Sequence, residues 1–244
     1  MNALSRESFK FMAELWQENS KPWFDANRSR YDNHVLHPMR ELAAVLEGPV
    51  SHILPEFNGN AKLSRINNDL RFTPNKPPYK QHMWISFGER GAPADFFAAI
   101  GGSGWAAGVG IGSPQRNTLD GWRRNLIHRP DQWQGYISAL NTGRGIQVFP
   151  EKPYRKPLFK EIPDQVFDLV QAREIWLVEA PKLTFEDDPA REFFRGLCRV
   201  LPLYLFMILD QDALEERLGE LCQKITAPDE EVKRLWKGMR RKRR

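Results

Sequence analysis

The order of apolar repeats along the 244-residue chain is the feature that most constrains its fold. Before residue 50 and after residue 189, apolar residues recur at helical spacing, whereas between residues 65 and 111 they alternate with polar ones, as in half-buried strands. Strands grouped between helices are typical of an α+β domain rather than of alternating βαβ units. The sequence therefore predicts a central antiparallel sheet flanked by N-terminal and C-terminal helices.

The middle of the chain predicts several strands in close succession. Their ranges are 65–72, 83–87, 95–100 and 105–111. The sequence Gly101-Gly102-Ser103-Gly104 indicates a hairpin between the last two, because glycine tolerates a tight turn. Additional elements are predicted as strands at 146–149 and 175–183 and as helices at 118–127 and 130–140.

Other predictions concern where the helices face and end. The buried face predicted for the first helix comprises Phe9, Met12, Ala13 and Trp16, at the spacing of one helical side. Proline lacks a backbone N–H and clashes with the preceding turn, so we expect a kink at Pro38 and a helix end at Gly48-Pro49. Pro202 is likewise expected to separate a helix at 189–200 from one at 203–209.

The positive charge of the chain is concentrated near its C-terminus. Eight of the 36 basic residues lie in residues 233–244, which hold no acid, and without them the formal net charge of +5 becomes −3. A domain that binds nucleic acid over its whole surface is therefore not supported. We expect one α+β domain over residues 1–232 and a basic C-terminal tail over 233–244. Such a tail is typical of a solvated helix end, and alternatively of a contact with nucleic acid or anionic lipid.

Cysteine use and hydropathy exclude other classes of protein. Cys198 and Cys222 lack the spacing of a disulfide framework or a cysteine zinc site, which suits a reducing cytoplasm. The N-terminus shows no signal-type apolar segment, and the longest apolar run, residues 200–209, is too short to span a bilayer. His34 and His37 share a helical face without an obvious third metal ligand. We therefore expect a cytoplasmic protein with no membrane span, cofactor or metal.

The glycines after residue 101 do not form a nucleotide-binding motif. Gly102 to Ala107 loosely matches GxGxxG, but a strand rather than a helix is predicted to follow, so a phosphate would meet no helix N-terminus. The alternating Gly108, Gly110 and Gly112 instead indicate a sheet face against which a helix or a ligand packs closely.

The best candidate for a site is the segment from Leu63 to Lys80, LSRINNDLRFTPNKPPYK. Alternation along a strand places Arg65, Asn67, Asp69 and Arg71 on one side. The opposite side holds Ile66, Leu70 and Phe72, with Asn68 as its one polar member. Three prolines stiffen the turn that follows and bring the chain back toward Arg71. The candidate ligand-binding residues are Arg65, Asp69, Arg71, Lys76, Tyr79 and Lys80.

Two interpretations of this cluster remain open from the residues alone. Arginine forks bind phosphate or carboxylate bidentately, so the cluster predicts an anion site in which Asp69 orients one arginine. Alternatively, Asp69 pairs with Arg65 or Arg71 in a salt-bridge network, and the lysines are solvated turn residues.

The same segment resembles the signature of an uncharacterised bacterial family, the domain of unknown function 2461. The family pattern, roughly R-I-x-R-D-x-R-F-S-x-D-K-x-P-Y-K, is matched by Arg65, Ile66, Asp69, Arg71, Phe72, Lys76, Pro78, Tyr79 and Lys80. The chain differs at Asn68, Thr73 and Asn75, where the family often has arginine, serine and aspartate. Further similarity lies in Asn19-x-x-x-Trp23-Phe24, Tyr31, Pro114, Leu119 and Arg123 or Arg124. The resemblance implies no established activity.

Three functions are compatible with these residues. The first, which we favour, is a module that binds an anionic small molecule through the Arg65–Lys80 segment, with nucleic acid as a further partner of the basic tail. The second is an enzyme acting on an anionic small molecule, in which Asp69 or Tyr79 transfers protons and the cations stabilise charge. The third is a structural or interaction protein whose segment is a salt-bridge network. The sequence leaves the oligomeric state open.

Overall fold

The computed structural model describes residues 4–55, 61–71, 75–87, 92–112, 115–141, 145–179, 182, 184–185, 188–224 and 230–239. The helices are α1 Arg6–Gln17, α2 Lys21–Ala26, α3 Arg28–Tyr31, α4 His37–Ile53, α5 Arg116–His128, α6 Pro130–Leu140, α7 Phe167–Gln171, α8 Pro189–Ile208, α9 Gln211–Lys224 and α10 Glu230–Met239. The strands are β1 Lys62–Leu63, β2 His82–Phe87, β3 Asp95–Gly101, β4 Gly104–Ile111, β5 Ile146–Glu151 and β6 Glu174–Glu179. Helices at both ends and strands between them confirm the α+β prediction.

The strands form one antiparallel sheet in the order β1-β2-β3-β4-β6-β5. The predicted glycine hairpin joins β3 to β4, and Gly104 has a positive φ of 120°, which a side chain would resist. In β2 the buried side chains alternate with partly exposed ones, as the sequence pattern predicts. Strands β2, β3 and β4 thus lie at or near their predicted ranges.

The chain divides into two compact units. The first consists of Met1–Gly88, Phe97–Ala107 and Pro181–Phe194, and the second of Glu89–Phe96, Gly108–Ala180 and Arg195–Arg244. Strands β3 and β4 and helix α8 contribute residues to both units. The prediction of a single domain over residues 1–232 stays a prediction.

In the first unit, helix α1 is rotated relative to the predicted face. Ser5 caps the helix in a capping box, and the buried side chains are those of Ser8, Phe9, Phe11, Met12 and Leu15. Trp16 was predicted to be buried, and this is wrong, since it is 56% exposed. The physical reason is that Phe11 and Leu15 complete the stripe at helical spacing, which leaves Trp16 on its edge.

Prolines interrupt the helices less than expected. A short π-helical segment, Asp32–Leu36, precedes α4, which starts at His37 with Pro38 in its first turn. The type of helix thus changes next to Pro38 while the backbone stays helical, and a kink there stays a prediction. The expected ends at Pro49 and Pro202 are wrong, because both prolines lie inside helices. A helix-interior proline costs about 3 kcal/mol. Nearly every apolar side chain from Leu197 to Met207 is buried, at about 1.5–3 kcal/mol each, so burial outweighs that cost.

In the second unit, the glycine face of β4 is covered by a side chain of the neighbouring strand. Gly110 pairs with Trp176 of β6, and a Cβ on Gly110 would overlap the indole ring. The expected neighbour, a helix or a ligand, is therefore wrong at this position. Glycine is required because the tryptophan ring lies directly against the backbone of the adjacent strand.

Helix α10 packs against α6 and α9 in the second unit, with Val232 and Trp236 buried. The indole N–H of Trp236 donates a hydrogen bond of 3.0 Å to the carbonyl oxygen of Cys198. In an unbroken helix the N–H of residue 202 would bond to this carbonyl, but Pro202 has none. Residues 233–239 of the predicted tail thus belong to a packed helix, and residues 240–244 lie outside the described residues.

Two further properties concern the described residues only. Within the described ranges, no helix is both long and apolar enough to cross a membrane. Among the same residues, no group of three or more His, Cys, Asp or Glu side chains is placed to hold a metal ion. His34 is half-buried and His37 is exposed.

Candidate functional site

The candidate segment folds as an irregular hairpin in the first unit. Residues Lys62 and Leu63 pair with Ser86 and Ile85 of β2. Farther along, Asn67 and Tyr79 form an isolated antiparallel bridge, so the register shifts by two residues between the two pairings. The backbone N–H of Asn68 donates to the Pro78 carbonyl at 2.9 Å, which closes the hairpin. The loop that carries the predicted charges lies beyond this point.

The strand predicted at 65–72 is wrong over most of its length. The strand assignment ends at Leu63, and Leu70, which the alternation placed in the core, is 38% exposed. The Asp69 carboxylate accepts a hydrogen bond from the backbone N–H of Arg71 at 3.1 Å, a turn that competes with extended pairing. Alternation survives only at Arg65, Ile66 and Asn67, where Ile66 alone is buried. Phe72, Thr73 and Pro74 lie outside the described residues.

Asn19, at the end of α1, anchors the returning arm of the hairpin. Its side-chain amide donates to the Tyr79 carbonyl at 2.9 Å, and its side-chain oxygen accepts from the Tyr79 N–H at 2.9 Å. The Tyr79 ring stacks on Phe24 with a centroid separation of 4.2 Å. The sequence reasoning did not include Asn19 in the site. The signal available was its place in the Asn19-x-x-x-Trp23-Phe24 pattern, whose asparagine and phenylalanine both contact Tyr79.

Asn68 reinforces the same arm. Its side-chain amide donates to the Pro77 carbonyl at 2.7 Å and to the Tyr79 carbonyl at 3.0 Å. The asparagine therefore has a structural role in this chain: it holds the two arms of the hairpin together.

We expect Asn19→Ala to lower the free energy of unfolding by about 1–3 kcal/mol, because two hydrogen bonds to partly buried backbone groups are lost. Urea denaturation of the variant and of the wild type measures this difference in the free energy of unfolding. Asn33→Ala is the matched control, since that amide makes one exposed contact of 3.4 Å with Ser29. Equal stabilities of the two variants would show that Asn19 does not hold the hairpin.

Asp69 and Arg71 are paired with each other at the surface of the loop. Two guanidinium nitrogens of Arg71, Nε and Nη2, donate to the two carboxylate oxygens at 2.9 and 2.6 Å. The guanidinium lowers the pKa of Asp69, and the carboxylate raises the pKa of Arg71. Both interpretations of the sequence include a pairing of Asp69 with an arginine, and the structure gives Arg71 as that partner. A carboxylate held ionised in this way is a poor proton acceptor.

Lys80 is committed to the hairpin itself. Its ammonium donates to the Arg65 carbonyl at 2.6 Å and lies 4.7 Å from the centre of the Trp84 ring. Burial, and after it the charge of Arg65, lower the pKa of Lys80. Burial and the charge of Lys80 also lower the pKa of His82. In both groups burial is the larger cause of the lowered pKa, and the neighbouring positive charge is the smaller one.

Of the remaining candidate ligand-binding residues, one is buried and two are exposed. Tyr79 is buried and serves as the packing anchor of the returning arm. Arg65 and Lys76 are exposed, and neither side chain has a hydrogen-bond or ion-pair partner within the described residues. The structure thus brings Arg65 and Lys80 close together and pairs Asp69 with Arg71. It presents Arg65, Arg71 and Lys76 to solvent.

Comparisons with known proteins agree with the resemblance in the segment. A family model described as a conserved hypothetical protein, DUF2461, matches residues 7–200. Neither a curated protein nor a solved structure matches the chain. The matched span contains helix α1 except its first residue, the Arg65–Lys80 hairpin and the whole of the sheet. Because the family model covers well over half of the 244 residues, the chain belongs to the DUF2461 family.

Proposed function

We propose that the protein binds an anionic small molecule, bearing phosphate or carboxylate groups, through the exposed cations of the Arg65–Lys80 hairpin. The observation that carries this proposal is that three cations of one hairpin, Arg65, Arg71 and Lys76, are exposed to solvent. Asn19 and Asn68 fix the backbone beneath these charges. A cationic surface held in place before binding loses little conformational entropy when a ligand arrives.

The chemistry of the exposed side chains selects the class of ligand. The guanidinium of Arg65 offers a planar fork of donors that matches phosphate or carboxylate, and Lys76 adds a mobile point charge. The Arg71 guanidinium is held by Asp69 at the surface, so an anion approaching the loop meets an oriented arginine. Charge-assisted hydrogen bonds of this kind contribute about 1.5–3 kcal/mol each.

A structural or interaction role is the second candidate, and the Asp69–Arg71 pair favours it. In that role the pair and the Lys80 contact with the Arg65 carbonyl would shape the loop without any ligand. The enzyme alternative has less support, because the pKa of Asp69 is lowered and Tyr79 is buried against Phe24. These features leave neither residue well placed to transfer a proton.

A thermal-shift screen of phosphate- and carboxylate-bearing compounds tests the proposal on wild type, Arg71→Ala and the exposed control Arg28→Ala. We expect at least one phosphate-bearing compound to raise the melting temperature of wild type and of Arg28→Ala more than that of Arg71→Ala. If Arg71→Ala lowers the melting temperature of the unliganded protein and no compound distinguishes the variants, the structural role is correct instead.

Two predictions from the sequence accompany this proposal. We propose a cytoplasmic location, supported by two buried cysteines with free thiols. Nucleic-acid binding through the basic C-terminal residues stays a prediction. Within α10, Lys233 pairs with Glu230 at 3.1 Å, while residues 240–244 lie outside the described residues.

A further inference from the structure

A second cationic surface lies in the other unit, on the extended loop between β5 and α7. We call residues 152–160, with the sequence KPYRKPLFK, the aromatic–basic loop. It holds four cations and no acid. It also holds three exposed apolar side chains, Tyr154, Leu158 and Phe159. Cations interleaved with exposed aromatic rings are unusual for a loop whose only role is to connect two elements.

Although it has no regular secondary structure, the loop is fixed to the neighbouring segment. The N–H of Tyr154 donates to the Gln171 carbonyl at 2.9 Å, and the N–H of Leu158 donates to the Gln171 side-chain oxygen at 3.1 Å. Arg173 Nε donates to the Lys152 carbonyl at 2.9 Å. These bonds fix the backbone of the loop at Lys152, Tyr154 and Leu158, so a partner would not have to order it at these positions.

The backbone at the start of the loop is strained. Lys152 has a φ of 52°, and it is the one non-glycine residue with positive φ in the described part of the chain. Such conformations persist where the surrounding structure imposes them, and they cluster at binding sites. Here the residue with positive φ directly follows the end of β5 at Glu151.

The rings of the loop lie against the protein. Tyr154, Leu158 and Phe159 are 37%, 41% and 37% exposed, so each offers part of its surface and none projects freely. Guanidinium groups lie 5.5 Å (Arg123) and 5.6 Å (Arg173) from the centre of the Tyr154 ring. A surface that inserts into a lipid bilayer needs protruding apolar side chains. A partly exposed ring can still stack on a flat group such as a base.

The cations of the loop are available to a partner. Lys152 pairs with Glu174, but Arg155, Lys156 and Lys160 are exposed and have no hydrogen-bond or ion-pair partner among the described residues. Three unpaired cations alternating with rings match a chain that carries phosphates and flat bases in turn.

We infer that the aromatic–basic loop binds single-stranded nucleic acid. Arg155, Lys156 and Lys160 contact phosphates, while Phe159 stacks on an unpaired base. Base pairs in a duplex keep their faces stacked on one another, so this surface favours single strands over duplex. The inference is independent of the anion site proposed for the Arg65–Lys80 hairpin.

Fluorescence anisotropy with a labelled twelve-nucleotide oligo(dT) tests this inference. The charge variant is Arg155→Gln, Lys156→Gln and Lys160→Gln combined. The control combines Arg6→Gln, Arg28→Gln and Arg40→Gln. These three arginines are exposed, and their side chains have no hydrogen-bond or ion-pair partner among the described residues. The logarithm of the affinity falls linearly with the logarithm of the salt concentration, and each lost phosphate contact makes this slope less steep by about 0.7. For the charge variant we therefore expect a slope that is less steep by about 2. We also expect its affinity at low salt to fall at least tenfold. The control should retain wild-type binding.

Stacking is tested separately with Phe159→Ala. We expect about a fivefold or greater loss of affinity with an unchanged salt slope, because a ring and not a charge is removed. Phe167→Ala, a similarly exposed phenylalanine outside the loop, is the control.

Several outcomes would overturn the inference: equal oligo(dT) affinities of the charge variant and its control, equal or tighter binding of duplex DNA, or binding of poly-glutamate as tight as that of oligo(dT). Binding to anionic phosphatidylserine vesicles without binding to oligo(dT) would equally overturn it and indicate a membrane surface. An Arg65→Gln/Lys76→Gln variant should bind oligo(dT) as wild type does, which keeps this test separate from the test of the hairpin.

Discussion

Arg123→Met should lower the free energy of unfolding by about 2–5 kcal/mol. Arg123 is buried in α5, and its guanidinium donates to the carbonyls of Val170 and Ala172 at 3.0 and 2.6 Å. Methionine fills similar space but donates nothing, so two buried carbonyls lose their partner at about 1–3 kcal/mol each. A third bond, to Asp120 at 2.7 Å, is also lost.

Arg124→Met is the control for this prediction, because the neighbouring arginine is exposed and substitutions at such positions usually change stability by less than about 0.5 kcal/mol. Urea denaturation followed by circular dichroism compares the two variants. If they are equally stable, Arg123 does not hold the segment before β6. The resemblance left Arg123 and Arg124 as alternatives for one family position, and burial distinguishes them.

Trp236→Ala is expected to lower the free energy of unfolding by about 3–5 kcal/mol, the usual cost of removing a fully buried large aromatic side chain. The exposed Trp16→Ala is the matched control, with an expected change below about 0.5 kcal/mol. A small effect of Trp236→Ala would contradict the packing of α10 and would restore the solvated tail expected from the sequence.

The hydrogen bond of Trp236 can be tested apart from its packing. Trp236→Phe keeps a ring but leaves the Cys198 carbonyl without the indole donor, at a cost of about 1–3 kcal/mol. In a Pro202→Ala background the helix supplies its own N–H to that carbonyl, so Trp236→Phe should cost less there. Equal costs in both backgrounds would show that the indole does not compensate for the proline.

The helices and strands were largely predictable because their apolar periodicity is local. The sequence placed β2, β3, β4, α5 and α6 within a few residues of their observed ranges. The errors arose where a distant residue decides the outcome. Pro202 stays helical because its neighbours are buried. Gly110 is covered by Trp176, which lies 66 positions later in the chain. The two residues become neighbours only through the register of β4 and β6.

The candidate site was predictable as a segment and less so as a geometry. Arg71 was one of the two partners that the sequence predicted for Asp69, and it lies only two residues away in the chain. The hydrogen bond from the Lys80 ammonium to the Arg65 carbonyl was not predictable, since every residue has a backbone carbonyl and no sequence pattern marks the one that accepts. Asn19 is 60 residues from Tyr79, and its bidentate hydrogen bonding to that backbone depends on the packed position of α1.

Calorimetric titration with pyrophosphate tests most directly whether the hairpin binds anions. The proteins are wild type, Arg65→Gln/Lys76→Gln and the matched control Arg28→Gln/Arg40→Gln, whose residues are equally exposed. We expect wild type and the control to bind alike and the hairpin variant to bind at least tenfold more weakly, because two charge-assisted contacts are lost. Equal affinities of the hairpin variant and the control would contradict the proposed function.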